Sequence, residues 1–145
     1  MTYRVIPRLS LGVEYNPKVG EVGPLMNVVA LGETEHRPAV LFGVSSDRIG
    51  TPDGTAYFGT VSKNLEPQIG WPISPYLGAA YGTYEDKLRA IGGVYVGLSH
   101  GFASTLLYDG KVFHLTLEYR FKERHVLTLL WVDTQDLGLS YSIAF

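Results

Sequence analysis

The chain has 145 residues and a formal net charge of -2, which suits one domain, residues 1–145, large enough to bury a sizeable part of its surface. Its Lys and Arg residues are scattered, so no basic stripe exists to replace phosphate counterions, and nucleic acid is not an expected partner. With no cysteine, disulfide frameworks, Cys-zinc sites and thiol nucleophiles are excluded, in keeping with a protein that crosses an oxidising compartment.

No run of roughly 18 to 20 apolar residues is present, so a transmembrane helix is not expected. Met1 leads straight into patterned sequence, and an exported protein would have lost its signal segment. The 17 Gly and 10 Tyr form a mixture that helix interiors disfavour.

In "YRVIPRLSLGVEY" Tyr3, Val5, Pro7, Leu9, Leu11, Val13 and Tyr15 alternate with Arg4, Ile6, Arg8, Ser10, Gly12 and Glu14. This period of two predicts a strand from Tyr3 to Tyr15. Strands follow over about Leu25 to Glu33, Ala39 to Asp47, Thr55 to Lys63, Ser74 to Thr83, Leu88 to Ser99 and Phe102 to Tyr108. "FHLTLEYRF" is the most regular, with Phe113, Leu115, Leu117, Tyr119 and Phe121 on one face and His114, Thr116, Glu118 and Arg120 on the other. His125 to Asp133 and the closing run complete the set, and turn chemistry such as "DRIGTPDG", "YDGK" and "DTQD" separates neighbours. "HVLTLLWV" and "TAYFGTVSK" show no clean phase, so an eight-stranded count stays open beside a count of about ten. The fold class expected is all-β: hairpin after hairpin in an antiparallel up-and-down barrel.

Such a barrel is either soluble with an apolar interior or transmembrane with an apolar exterior. Small residues populate the second face (Gly78, Ala80 and Gly82; Gly93 and Gly97; Gly138, Ser140, Ser142 and Ala144), as a narrow lumen requires. Aromatics bracket the strands: Tyr3 with Tyr15, Phe113 with Tyr119 and Phe121, and Trp131 near a strand end. Amphipathic rings so placed suit two membrane interfaces. Leu9, Leu11, Leu115 and Leu117 then face lipid between them.

The final run, "DLGLSYSIAF", alternates Leu137, Leu139, Tyr141, Ile143 and Phe145 with small residues. It resembles the C-terminal β-signal of Gram-negative outer-membrane barrel proteins. The resemblance implies a transmembrane barrel in the bacterial outer membrane, with outer-membrane lipid and the barrel assembly machinery as partners. "SPYLGAAYGTY" and "LLYDGKVFHLTLEYRF" resemble YjbH-type barrels associated with exopolysaccharide production, an alternative role. Closure of the last strand on the first is expected, because an open edge in hydrocarbon leaves backbone groups unpaired at several kcal/mol each. An even strand count would put both termini on the periplasmic side. A monomer is expected.

On the proposed lumen face Arg4, Arg8, Glu14, Glu33, Lys63, Arg89, Tyr95, His114, Glu118 and Arg120 mix both signs. Charges in a low-dielectric bore are costly unless paired, so a salt-bridge network is expected. His114 and Glu118 stand about 13 Å apart along a strand and cannot share a proton directly. Ser99 and His100 sit side by side at a turn and face opposite ways. No catalytic residue, metal ligand or cofactor is assigned. Lys87, Asp109, Asp133 and Asp136 fall in tight connections that leave little room for a partner. The function expected is a structural envelope protein or a narrow pore for small polar solutes. The contrasting reading, a soluble calycin-like carrier of an apolar ligand, would put Leu115, Leu117 and Leu139 inside.

Overall fold

Period-two alternation becomes strand throughout. The computed structural model describes residues 2–16, 20–47, 51, 53–122, 125–133 and 136–143, and in it the chain forms one antiparallel sheet of 11 strands in sequence order. The strands are β1 (Thr2–Ile6), β2 (Leu9–Asn16), β3 (Glu21–Leu31), β4 (Ala39–Ser46), β5 (Thr55–Ser62), β6 (Ile73–Gly82), β7 (Lys87–Gly97), β8 (Phe102–Tyr108), β9 (Phe113–Phe121), β10 (His125–Val132) and β11 (Asp136–Ile143). One helical turn, α1 (Glu66–Ile69), interrupts the connection between β5 and β6, and a 3-10 turn at Ser99–Gly101 joins β7 to β8.

The predicted strand from Tyr3 to Tyr15 is two strands. Pro7, which cannot donate to a ladder, and Arg8 make the turn between β1 and β2. Eleven strands rather than about ten result. The first and last therefore run in the same direction, and the even-count expectation for the termini does not hold. No ladder joins β1 to β11 among the described residues.

Up-and-down order puts the connections at two rims. The β2–β3, β4–β5, β6–β7, β8–β9 and β10–β11 connections form the upper rim; the others form the lower rim. Register assigns each side chain to a face. Paired residues share a face, so the row His114↔Leu107, Leu107↔Gly93, Gly93↔Tyr76 traces one side of the sheet. We call that side inner. The two ambiguous strands resolve by the same rule: Ala56 and Phe58 are inner with Tyr57 and Val61 outer, while Thr128 and Leu130 are inner with Leu129 and Trp131 outer.

Burial is inverted relative to a water-soluble sheet. The only buried apolar residues among those described are Ala56 and Ala103, whereas His114 and Thr116, on the inner face, are 1% and 8% exposed. Asp109, in the β8–β9 connection, lies against the His114 ring. The outer face carries Leu77, Leu88 and Leu139 at 69%, 73% and 71% exposure. A soluble domain of this size would have most of its apolar side chains in a core. Here the backbone ladders, not an apolar core, hold the strands in place.

Candidate functional site

The inner face gathers most of the predicted charged positions. Arg4 and Glu14 reach it through the β1–β2 and β2–β3 registers, Arg89 through β6–β7, and Tyr95, His114 and Glu118 through β7–β8 and β8–β9. Arg120 follows Glu118 by one period on β9. Arg8 instead lies in the β1–β2 turn, where its carbonyl accepts a 2.8 Å bond from the Val29 N–H. Glu33 and Lys63 sit in lower-rim connections and pair with each other at 3.2 Å. Lys63 also donates to the Thr34 and Glu35 carbonyls at 2.6 and 3.0 Å, tying the β3–β4 and β5–β6 connections together.

The expected ionic network is thus divided between the rims. At the upper rim the Arg89 guanidinium donates to the Glu85 carboxylate, which also faces Lys111 at 3.8 Å. The Glu14 carboxylate crosses β3 above Gly23 and accepts the Ser46 N–H of β4. A Cβ at Gly23 would touch the Glu14 side chain at 3.6 Å and press on the Ser46 hydroxyl oxygen at 2.8 Å, so that hydroxyl would have to turn away. At the lower rim Tyr95, Glu118 and Arg120 line a cavity of ≈ 180 Å³ with Gly97 and Ala103. An upper cavity of ≈ 230 Å³ is lined by Asp47, Phe58, Tyr76, Arg89, Tyr108 and Asp109 among others.

His114 does not act with Glu118. Its partner is Asp109, with Nε2 2.9 Å from Oδ2. Asp109 opens the β8–β9 turn and also accepts the Lys111 and Val112 N–H groups at 2.9 Å each. Burial pushes the Asp109 carboxyl up, but the bonds from Val112, His114 and Lys111 outweigh it and hold the group below its ordinary value. With Nε2–H donating to Asp109, Nδ1 of a neutral ring is left as an acceptor. That atom and Thr116 Oγ1 are buried without a hydrogen-bond partner in the protein. An unmet buried group costs about 1–3 kcal/mol, so this part of the inner face is suited to water or a small polar solute.

The sequence signal for Asp109 was phase. Leu107 and Asp109 continue the inner alternation of β8 past its last residue, bringing the carboxylate beside the first inner residue of β9. Its depressed value has a pH consequence. A folded value below the unfolded one of about 3.9 gives stabilisation that is present above the unfolded value and lost as pH falls through the folded one. Asp109→Asn is expected to remove that part of the acid sensitivity. Thermal unfolding of both proteins between about pH 6 and about pH 2 checks it, and superimposable acid profiles would refute it.

All ten predicted lipid-facing residues lie on the outer face: Tyr3, Leu9, Leu11, Tyr15, Phe113, Leu115, Leu117, Tyr119, Phe121 and Trp131. Leu137, Leu139 and Tyr141 of the terminal motif share that face, Ile143 ends β11, and Phe145 is outside the described residues. The outer aromatics form two rows. At the upper rim are Tyr15, Tyr57, Tyr81, Phe113 and Trp131, with Tyr108 packed on Phe113 at a ring separation of 4.9 Å. At the lower rim Phe102, Tyr119, Phe121, His125 and Tyr141 stack in succession across β8 to β11 at 4.6, 5.8, 5.1 and 5.9 Å. Nδ1 of His125 and the Tyr141 hydroxyl close the row at 2.5 Å.

Comparison of the chain with protein-family profiles, curated proteins and solved structures gives no match. The inner polar pairs offer hydrogen bonding and charge in a confined space, and the outer face offers a greasy band between two aromatic rows. Among the described residues no group of three or more His, Asp or Glu converges as a metal site.

Proposed function

We propose that the chain is a small integral β-barrel of the bacterial outer membrane, with lipid against its outer face and a charged bore within. In this reading it is a structural envelope protein or a narrow pore for small polar solutes. The supporting observation is the distribution of burial and charge, with His114 and Thr116 buried and Arg4, Glu14, Arg89, Glu118 and Arg120 placed on the inner face while leucines stay exposed on the outer one between aromatics at both rims. Phe113 and Phe121, eight residues apart on β9, are separated by about 26 Å at ~3.3 Å per residue. Strand tilt of about 40° brings that to roughly 20 Å along the membrane normal, enough with the length of the rings to bracket an apolar band of about 25 Å. Outer-membrane lipid and the assembly machinery that would read Leu137, Leu139, Tyr141, Ile143 and Phe145 are the partners, and the chain acts as a monomer.

A soluble carrier of an apolar ligand needs Leu115, Leu117 and Leu139 around its cavity. All three sit on the opposite face.

The two tryptophans provide the test. Trp131 belongs to the upper aromatic row, and Trp71, 68% exposed, lies in the lower-rim β5–β6 connection. In vesicles of brominated phosphatidylcholine both are expected to be quenched, more strongly by bromine near the headgroups than near the bilayer centre. A chain that stays monodisperse in plain buffer and shows no quenching would end the membrane proposal. For an inserted chain, unitary current steps in a planar bilayer assign the pore, and a silent bilayer assigns the structural role.

A further inference from the structure

We propose that β11 closes the sheet against β2, not β1, so that the membrane form is a ten-stranded barrel from whose seam β1 has been released. The inference rests on the membrane reading above and identifies the surface at which the barrel seals. Hydrocarbon forces closure of some kind, because each unpaired backbone group there costs several kcal/mol.

Parity narrows the choices. In an 11-stranded up-and-down sheet β1 runs parallel to β11 and β2 antiparallel to it. Closure through β1 therefore makes one parallel seam, and closure through β2 keeps every ladder antiparallel. Length decides between them. β1 has 5 residues, about 17 Å of strand, where a tilted membrane strand needs about 9–11 residues. A bulge falls between Arg4 and Ile6, and the ladder to β2 covers only Leu9 to Gly12. β1 would leave much of the β11 edge bare in lipid.

β2 and β11 each have 8 residues. In the antiparallel register that overlaps them fully, Leu11, Val13 and Tyr15 stand opposite Tyr141, Leu139 and Leu137 on the outer face. On the inner face Gly12 stands opposite Ser140, and Glu14 opposite Gly138. Apolar positions thus meet apolar ones, and small residues leave the bore side of the seam room for the Glu14 side chain. A second copy is a poorer occupant. An antiparallel β11–β11 pair needs a two-fold axis perpendicular to the strands, which would turn one copy upside down in the membrane. β1 is then a temporary cover for the β2 edge, of the kind that guards exposed strands against wrong pairing.

The chain contains no cysteine, so introduced pairs report cleanly. The double variant Leu11→Cys with Tyr141→Cys bridges the proposed seam, and Tyr3→Cys with Tyr141→Cys, in which Tyr3 takes the place of its own ladder partner Leu11, bridges the parallel one. Both are refolded into phosphatidylcholine vesicles, oxidised, and read by non-reducing electrophoresis and peptide mass spectrometry. The first pair is expected to form an intramolecular disulfide in the larger part of the inserted chains, since opposed strand residues meet the Cα separation a disulfide needs, and the second pair is expected to form little. Deleting residues 2–6 from the first variant should leave its cross-link intact. A dominant bridge in the second pair, bridges mainly between copies, or no bridge in either inserted variant would overturn the proposal. Flotation of the cysteine-free chain with vesicles is scored separately. A chain that fails to float removes the membrane reading itself, whereas one that floats without the expected bridge removes only the seam.

Discussion

Leu139→Arg is expected to cost about 2–4 kcal/mol of stability in a bilayer, the penalty for an arginine on the lipid face near the midplane. Leu117, Leu129 and Leu139 form a continuous outer row across β9, β10 and β11, midway between the two aromatic rows. Leu139 is 71% exposed, so for a chain bathed in water the same change would fall within about 0.5 kcal/mol, as surface substitutions usually do. The sign and size of one substitution therefore report which solvent the outer face meets. Urea unfolding of the refolded protein in phosphatidylcholine vesicles measures it. A Leu139→Arg protein as stable in vesicles as its parent would remove lipid from the outer face.

Gly78→Val is expected to prevent correct pairing of β5 with β6, or to cost at least about 3 kcal/mol, the upper end of ordinary overpacking. Gly78 pairs with Thr60 on the inner face, and a Cβ there would overlap the Gly59 carbonyl oxygen and crowd the Thr60 backbone. Overpacking against a side chain can be relieved by a rotamer change. Backbone has no such freedom without opening the ladder. Ala79→Val, one residue along on the exposed outer face, is the control and should shift stability by no more than about 0.5 kcal/mol. Equal denaturation midpoints for the two variants would show that the strands are not held as close at Gly78 as the structure places them.

The strands were legible because alternation survives wherever one face is apolar and the other is not. β8 and β9 are bounded by the residues the sequence suggests, and most others agree to within a residue or two. The hairpin inside Tyr3 to Tyr15 escaped for a specific reason. A two-residue turn exchanges odd and even positions between faces, and the bulge between Arg4 and Ile6 exchanges them back. Tyr3 and Leu11 consequently share the outer face, and the written pattern runs unbroken through a reversal of direction. β3 begins four residues earlier than its apolar run suggests, because Glu21 to Pro24 pair with the far end of β2.

The inner face was legible as a list and not as a set of contacts. Its charged residues could be assigned to one side by phase alone. Which of them meet depends on stagger between strands and on loop ends, and neither has a sequence period. Glu85, Asp47 and Asp109 lie in or beside connections, and the first and last hold Arg89 and His114 respectively. Spacing along β9 did separate His114 from Glu118, as found. It said nothing of the turn residue that folds back on His114.

Strict sequence order in the sheet has a kinetic corollary. Each ladder joins segments that follow one another along the chain, so ten hairpin closures each span a short stretch of polypeptide and incur little loop entropy. The sheet can zip from any point where two strands first meet. No ladder among the described residues waits on a contact between distant parts of the chain, the arrangement that low contact order favours for rapid assembly.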